Sequence, residues 1–349
     1  MLRVESQLGA ARYQLPILSR AYAAEKLTAV GEGDIVRAAH AAFFASLAET
    51  ALPHLDGPQQ GQWLERLDLD RDNLHAALAW SLEVEDAQTA LRLSASLWPY
   101  WQARGLSGET RQFLDAALAL SGTSAAELHL RTLDGAAALA YLQGNDERAE
   151  ALHTRSLALK REHGDEARQP SSLCALAALS IDRRDYERAE TLCQEALTLS
   201  RERRDRRATA YALLLLGRLR HVGCDYHAAT ALFDEAVAAY RVLGDTGRLA
   251  LALSAHAATA SAQGRRDEAR MLAGEALGLR RELQDEMGIA ASLADLGALA
   301  RDGGHMHDAA ELLHDSLTRY RHLRARAGAA RVLADLALLA IYQSDPAHA

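Results

Sequence analysis

Residues 210–244, AYALLLLGRLRHVGCDYHAATALFDEAVAAYRVLG, decide the fold. Leu213, Leu216 and Leu219 fall at helical spacing, Gly223-Cys224-Asp225 interrupts, and YHAATALFDEAVAAYRVLG forms a second helical pattern. The pair recurs. From Ala149, steps of forty residues land on Ala189, Ala229, Ala269 and Ala309. Seven residues on stand Ser156, Ala196, Ala236, Ala276 and Ser316, all small, followed by the aliphatic series Leu157, Leu197, Val237, Leu277 and Leu317. Arg161, Arg201, Arg241, Arg281 and Arg321 come next, then Asp165, Asp205, Asp245 and Asp285, with Ala325 breaking the last series. Gly144-Asn145-Asp146 and Gly303-Gly304-His305 supply the same interruption as Gly223-Cys224-Asp225 in other units.

One helix pair of this size cannot bury its apolar stripe alone, so neighbouring pairs must stack. Small residues on the first helix, Ala137, Ala177, Gly217, Ala257 and Gly297, allow close approach of the second. The series resembles the tetratricopeptide repeat, whose small–small–small signature is matched by Gly217, Ala229 and Ala236. The period of forty is longer than that family's usual unit, and its closing proline is missing. The resemblance implies an all-α solenoid, a right-handed superhelix of helix pairs whose first helices line a concave face.

A second resemblance covers residues 63–118. Asp72-Asn73-Leu74, Ala76-Ala77-Leu78, Trp80, Ala90-Leu91-Arg92-Leu93, Trp101, Arg104-Gly105, Arg111 and Leu114 resemble the start of the sensor array in bacterial STAND-class transcriptional regulators of the LuxR-type or AfsR-like kind. In those proteins an NB-ARC ATPase and a winged helix precede helical repeats. Upstream, Arg12, Tyr13, Leu15, Arg20, Tyr22, Ala23, Glu25 and Leu27 resemble the last strand and following helix of the winged helix, and His40-Ala41-Ala42-Phe43-Phe44 the next helix. The implied division is a winged-helix remnant and connecting helix over 1–50, linker helices over 51–124, and repeats over 125–349, five full units and the start of a sixth. The ATPase and a DNA-binding helix-turn-helix are expected to be absent, which makes the chain the sensor half of a switch.

Composition bounds the function. The 349 residues are 49% apolar, so a packed core is expected rather than disorder. Arginines and acids punctuate every apolar stretch, which argues against a membrane partner. Cys174, Cys193 and Cys224 form no CxxC pair, so a reducing cytoplasmic setting is expected. An excess of 47 acidic over 39 basic residues argues against direct nucleic-acid binding. Neither lysine, Lys26 nor Lys160, follows a glycine, so no phosphate-cradling GxxxxGK[ST] loop is present.

Recognition is expected on the concave face. The tetratricopeptide frame puts Arg131, Asp134, Tyr141, Asp182, Tyr211, Arg218, His221, Arg301, Asp302 and Arg331 there, as a group. Arginine and aromatic side chains are enriched at binding hot spots. Tyr211, Arg218 and His221 share roughly one helix face, so the joint change Tyr211→Ala with Arg218→Ala is expected to abolish binding and spare stability.

The arginine ladder reads as complementing helix C-termini, with each aspartate pairing its own or a neighbouring arginine. His305, His307 and His314, with Asp308 and Glu311, read as turn and surface residues rather than a metal site. His153, Cys193 and Phe233 occupy equivalent positions and read as packing, as do Trp80, Trp98 and Trp101. No nucleophile–base pair has catalytic context, so neither an enzyme nor a cofactor is expected. The expected role is a non-enzymatic sensor that binds a protein partner or a small-molecule inducer and signals to an ATPase module or subunit. The alternative is a stand-alone scaffold or adaptor that holds a peptide or helix of a partner protein.

Overall fold

The computed structural model describes residues 3–7, 10–55, 59–104, 108–120, 126–323 and 325–344. Among the described residues, a hairpin of β1 (Arg3–Gln7) and β2 (Ala10–Gln14), with Val4 opposite Tyr13, precedes seventeen α-helices. The contacts divide the chain into two compact units, Met1–Leu55 with Gln62–Leu152 and Asp56–Gly61 with His153–Ala349.

The first unit holds α1 (Ile17–Ala29), α2 (Gly33–Ala51), α3 (Gln60–Leu69), α4 (Arg71–Glu83), α5 (Ala87–Arg104), α6 (Gly108–Leu120), α7 (Ala126–Leu142) and the first turns of α8 (Asp146–Glu162). The strand β2 followed by α1 has the order expected of a winged helix's end, yet a hairpin and one helix fall short of that fold. The core gathers Leu64 and Leu67 of α3, Leu74 and Leu78 of α4 and Tyr100 and Trp101 of α5, with α2 packed on α4 and α5 and α7 packed on α5. Trp80 and Trp98 pack against it half-buried. A methyl group added at Gly135 on α7 would lie 2.5 Å from the Trp98 ring on α5, so only glycine permits that approach. The buried Tyr100 hydroxyl donates to Asp68 at 2.9 Å, and Arg104 closes on the same carboxylate at 2.7 Å, tying α5 to α3.

Gly33–His54 is long and apolar enough, by length and composition, to cross a membrane. This qualifies the reading of every apolar stretch as broken by charge. Its face of Ala41, Phe44, Ala45 and Ala48 is buried against α4 and α5, as in a core helix.

The second unit is a solenoid. After α8 it pairs α9 (Gln169–Asp182) with α10 (Tyr186–Glu202), α11 (Arg206–Val222) with α12 (Tyr226–Leu243), α13 (Thr246–Ala262) with α14 (Arg266–Glu282), and α15 (Glu286–Asp302) with α16 (Met306–His322). A further first helix, α17 (Arg326–Ser344), follows. Each second helix also packs on the next first helix, and α9, α11, α13, α15 and α17 touch in succession, which makes the first helices the more closely spaced inner layer.

The connections explain the period. Gly164, Arg184, Arg204, Cys224, Gly244, Gly264, Gln284 and Gly304 are each left-handed, with φ between 55° and 81°, and recur every twenty residues. Except at Gly164, where α9 starts only at Gln169, the residue after each is the N-cap position of the next helix. Asp185, Asp205, Asp225, Asp245 and Asp285 accept from backbone N–H groups of the first turn beyond them. Of the aspartates read from sequence as arginine partners, Asp205, Asp245 and Asp285 are thus N-caps first, each supplying an acceptor that the helix start lacks, while Asp165 pairs with Arg168 at 3.3 Å. The arginine ladder makes other bonds, Arg161 to Glu195 at 2.6 Å and Arg241 to Glu275 at 2.8 Å, each spanning neighbouring second helices.

Within a pair, size is matched across the crossing. A Cβ added at Gly217 would lie 2.6 Å from the Phe233 ring, and one at Gly297 2.8 Å from Leu313. At the equivalent crossing, Ala177 accompanies the smaller Cys193. His153, Cys193 and Phe233 are all buried, as packing requires.

Two outcomes test these contacts. Gly217→Ala should destabilise by about 1–3 kcal/mol through overpacking, and adding Phe233→Cys, which copies the Ala177 and Cys193 pair, should recover part of the loss in thermal unfolding. Asp225→Ala should cost about 1 kcal/mol by removal of a cap, with helicity retained.

Candidate ligand-binding face

Three of the expected residues lie on α7 in the first unit. Arg131 pairs with Glu127 at 2.9 Å one turn away, Asp134 is half-buried, and Tyr141 is exposed. The other seven lie in the second unit, where the structure links them from one first helix to the next. Arg218 on α11 donates to Asp182 on α9 at 3.0 Å. His221 Nδ1 lies 2.9 Å from the Thr259 hydroxyl on α13, with its ring tilted on Tyr226. Arg301 on α15 donates to Asp335 on α17 at 2.7 Å and to its neighbour Asp302 at 3.0 Å. Arg331 on α17 returns to Asp295 on α15 at 2.7 Å.

Tyr211 departs from the expected arrangement. Its ring is half-buried against the core, the Arg248 guanidinium sits 4.8 Å from its centroid, and burial pushes its phenol up. Tyr211→Ala would remove packing as well as any contact, so it is unsuited to separating binding from stability. The reason is local: Arg248, in the first turn of α13, lies over the ring.

The residues therefore form two polar groups, Asp182–Arg218–His221 and Arg301–Asp302–Arg331. Between them α13 carries one exposed charge, Arg248 in its first turn, and the face beyond it is uncharged. Leu251 is 45% exposed there, and Ala258 and Ala262 are exposed. Exposed ion pairs contribute little to stability, since solvent screens them and two long side chains must be ordered. They leave Arg331 and Asp302 about half exposed and open to further hydrogen bonds. The face offers donors and acceptors at its flanks and a shallow apolar floor of small residues, which suits an extended or helical polypeptide better than a deeply enclosed small molecule.

Sequence reading missed the buried ionic positions. Residues 160, 200, 240, 280 and 320 are one position of the repeat, occupied by Lys, Ser, Tyr, Arg and Tyr, and all are buried. The Lys160 ammonium donates to Ser172 at 2.8 Å, and Arg280 reaches Ser292 and the Gly288 carbonyl. Serines 172 and 292 occupy a single repeat position, and they occur where position 160 or 280 carries a cation. That covariation was visible in the sequence, forty residues at a time, once the period was known. His256 on α13 stands where Leu176, Leu216, Leu296 and Leu336 stand in other units. It is buried, stacks on Phe233, and has Asp234 at 3.7 Å and Glu268 at 3.9 Å.

Among the described residues no three His, Cys, Asp or Glu side chains converge to hold a metal ion. His307 pairs with Glu311 in full exposure, and His305 occupies the N-cap of α16. Cys174 and Cys193 are buried, and burial pushes the Cys193 thiol up to about 12, so neither presents a ready thiolate.

The tetratricopeptide repeat family model matches residues 171–203, which are α9, α10 and their turns. A stretch of 96 residues, 28% of this chain, is 40% identical to proteins named HTH-type transcriptional regulator in Mycobacterium bovis and Mycobacterium tuberculosis, and covers 11% of their length. Among solved structures, NprR in complex with its cognate peptide NprX aligns with TM-score 0.59 at 14% identity, over 73% of this chain and 74% of that one. A Rap protein complexed with Competence and Sporulation Factor aligns with TM-score 0.56 at 15% identity, over 88% and 99%. The STAND protein with a tetratricopeptide repeat sensor from Pyrococcus horikoshii aligns with TM-score 0.52 at 13% identity, over 75% and 42%. At such identities the likeness is one of fold.

Burial holds the His256 imidazole below its ordinary pKa, against the opposing pull of Asp234 and Glu268 and with Arg265 adding to the depression. The folded unit therefore binds fewer protons at this site than the unfolded chain does. Its stabilising contribution is complete above about pH 6.5 and is lost as pH falls through the folded pKa. His256→Leu, which restores the aliphatic residue of other units, should raise the unfolding temperature at pH 5.5 more than at pH 7.5.

Proposed function

We propose that the chain is a non-enzymatic sensor module that binds a polypeptide on the first-helix face of its second unit and reports occupancy to a STAND-type ATPase, in the same or a separate polypeptide. The observation that carries the reading is the arrangement of that face, two polar groups on α9–α11 and α15–α17 flanking a floor on α13 that is uncharged beyond Arg248 in its first turn. Fold likeness to NprR with its peptide, and to a STAND protein with a repeat sensor, supports it. So does the sequence match to mycobacterial transcriptional regulators. A ligand would move such a switch only through different affinities for its two states. Because the ligand crosses several first helices, it favours whichever spacing between them it fits best. The winged-helix reading of 1–50 belongs to the same proposal, as the piece that would pass the change to the ATPase. A stand-alone scaffold that holds a partner's peptide, with no ATPase, fits the same face.

The test uses a displayed library of short random peptides selected against the whole chain. Selected peptides should lose at least about tenfold in affinity, ~1.4 kcal/mol, on Arg218→Ala with Ala258→Arg, while the unfolding temperature stays within a degree or two. Both positions are at least partly exposed, so folding is spared. Failure to enrich peptides over a blank scaffold, or binding indifferent to the double change, would overturn the assignment of the face. Co-purification of an ATPase from a native lysate separates the regulator from the scaffold.

A further inference from the structure

Residues 201–207, Arg-Glu-Arg-Arg-Asp-Arg-Arg, set five arginines against Glu202 and Asp205 at the turn that joins α10 to α11. The excess is out of keeping with a chain whose net charge is −8. Arg203 pairs with Glu166, and Arg207 with Asp245 at 3.2 Å. Arg201, Arg204 and Arg206 are exposed and have no side-chain partner among the described residues. Arg204 occupies the left-handed position that glycine holds at 164 and 244, at the tip of the turn.

The basic edge extends to the next inter-unit turn and stops there. Arg207 at the start of α11 and Arg248 at the start of α13 approach the one Asp245 carboxylate, at 3.2 Å and 3.9 Å, and Asp245 is buried. A single buried carboxylate thus holds two guanidiniums and ties the α10–α11 and α12–α13 turns into one surface. In the turn before them, Arg161 and Arg168 are matched by Glu162, Asp165 and Glu166. In the turn after, Arg281 stands among Glu282, Asp285 and Glu286. The positive field is bounded on both sides by acids.

The placement runs against local helix electrostatics. A helix start carries partial positive charge and is stabilised by acids. α8, α10, α14, α15 and α16 each have an acidic residue in the first turn. α11 has none and instead carries Arg206 and Arg207, and α13 has none and carries Arg248. Cations set beside one another and beside a positive helix end repel until an anion is supplied, and local rules are broken in this way at functional sites.

The donors on offer select the anion. The backbone N–H groups that would cradle a phosphate at these helix starts are already taken, since Asp205 accepts from Arg207 and Ala208 and Asp245 accepts from Arg248. What remains is a set of guanidiniums spread over two turns, which suits carboxylates spaced along a chain. A nucleic acid needs rings to stack on, and here Tyr211 lies under Arg248 while Tyr240 is buried. A longer polyanion would also meet the acidic turns on either side. We infer that the edge formed by the α10–α11 and α12–α13 turns docks a short run of acidic residues in a partner protein. The arginines that carry it are separate from the two polar groups of the first-helix face, so its failure leaves the peptide-binding face standing.

Fluorescence anisotropy of a labelled hexaglutamate peptide, titrated with the whole chain, tests the inference. At about 150 mM salt, where the screening length is roughly 8 Å, hexaglutamate should bind saturably and hexaglutamine should not. Arg204→Glu with Arg206→Glu should weaken binding at least about tenfold. The unfolding temperature of that variant should hold or rise, because an acid replaces a cation at the start of α11. Arg266→Glu with Arg270→Glu, the same change of charge at exposed positions of α14, should leave the affinity within about twofold. Absence of saturable binding overturns the inference, as does equal weakening by the two double changes, which reflects net charge rather than a site. Tighter binding of a DNA hexanucleotide overturns the choice of partner.

Discussion

The array depends on how each helix ends. A single left-handed residue reverses the chain, and the next residue caps the following helix, usually as an aspartate. Repeated every twenty residues, this holds the helices to near-equal length and turns each by a similar angle against its predecessor. Equal lengths and equal turns are what allow helix pairs to stack as copies of one another. The backbone tolerates arginine, cysteine or glutamine in place of glycine at four of these turns, at a conformational cost that the caps and packing offset.

Given that frame, side chains compensate locally rather than conform to one ideal unit. Glycine faces phenylalanine or leucine at two crossings, and alanine accompanies cysteine at another. A buried lysine or arginine brings a serine twelve residues on, while Tyr320 brings Gly328, where a Cβ would overlap its ring. Removing one partner of a buried cation's hydrogen bond leaves an expensive orphan, so the pairs change together. This accounts for a strict period accompanied by a loose consensus.

The polar residues of the first helices serve the solenoid and the candidate face together. Arg218–Asp182, Arg301–Asp335 and Arg331–Asp295 each tie one unit to the next across the inner layer. A ligand that engages these groups competes for bonds that set the spacing between units. On the proposed reading, binding and curvature would be linked through the same atoms.

The forty-residue period, the helix pairs and the small residues at their crossings were legible in the sequence, because helical spacing and close approach restrict residue type wherever they occur. So was the placement of Asp182, Arg218, His221, Arg301, Asp302 and Arg331 on first helices, since their position in the repeat fixes which layer they join. The aspartate caps were visible as a series but not as caps, because a carboxylate four residues after an arginine fits an ion pair equally well until backbone direction is known. Tertiary structure alone decided that Tyr211 packs while Arg218 stays accessible, and that Arg218, Arg301 and Arg331 on the face already have partners. Those outcomes depend on distances between residues more than thirty positions apart, which the pattern of one chain does not contain.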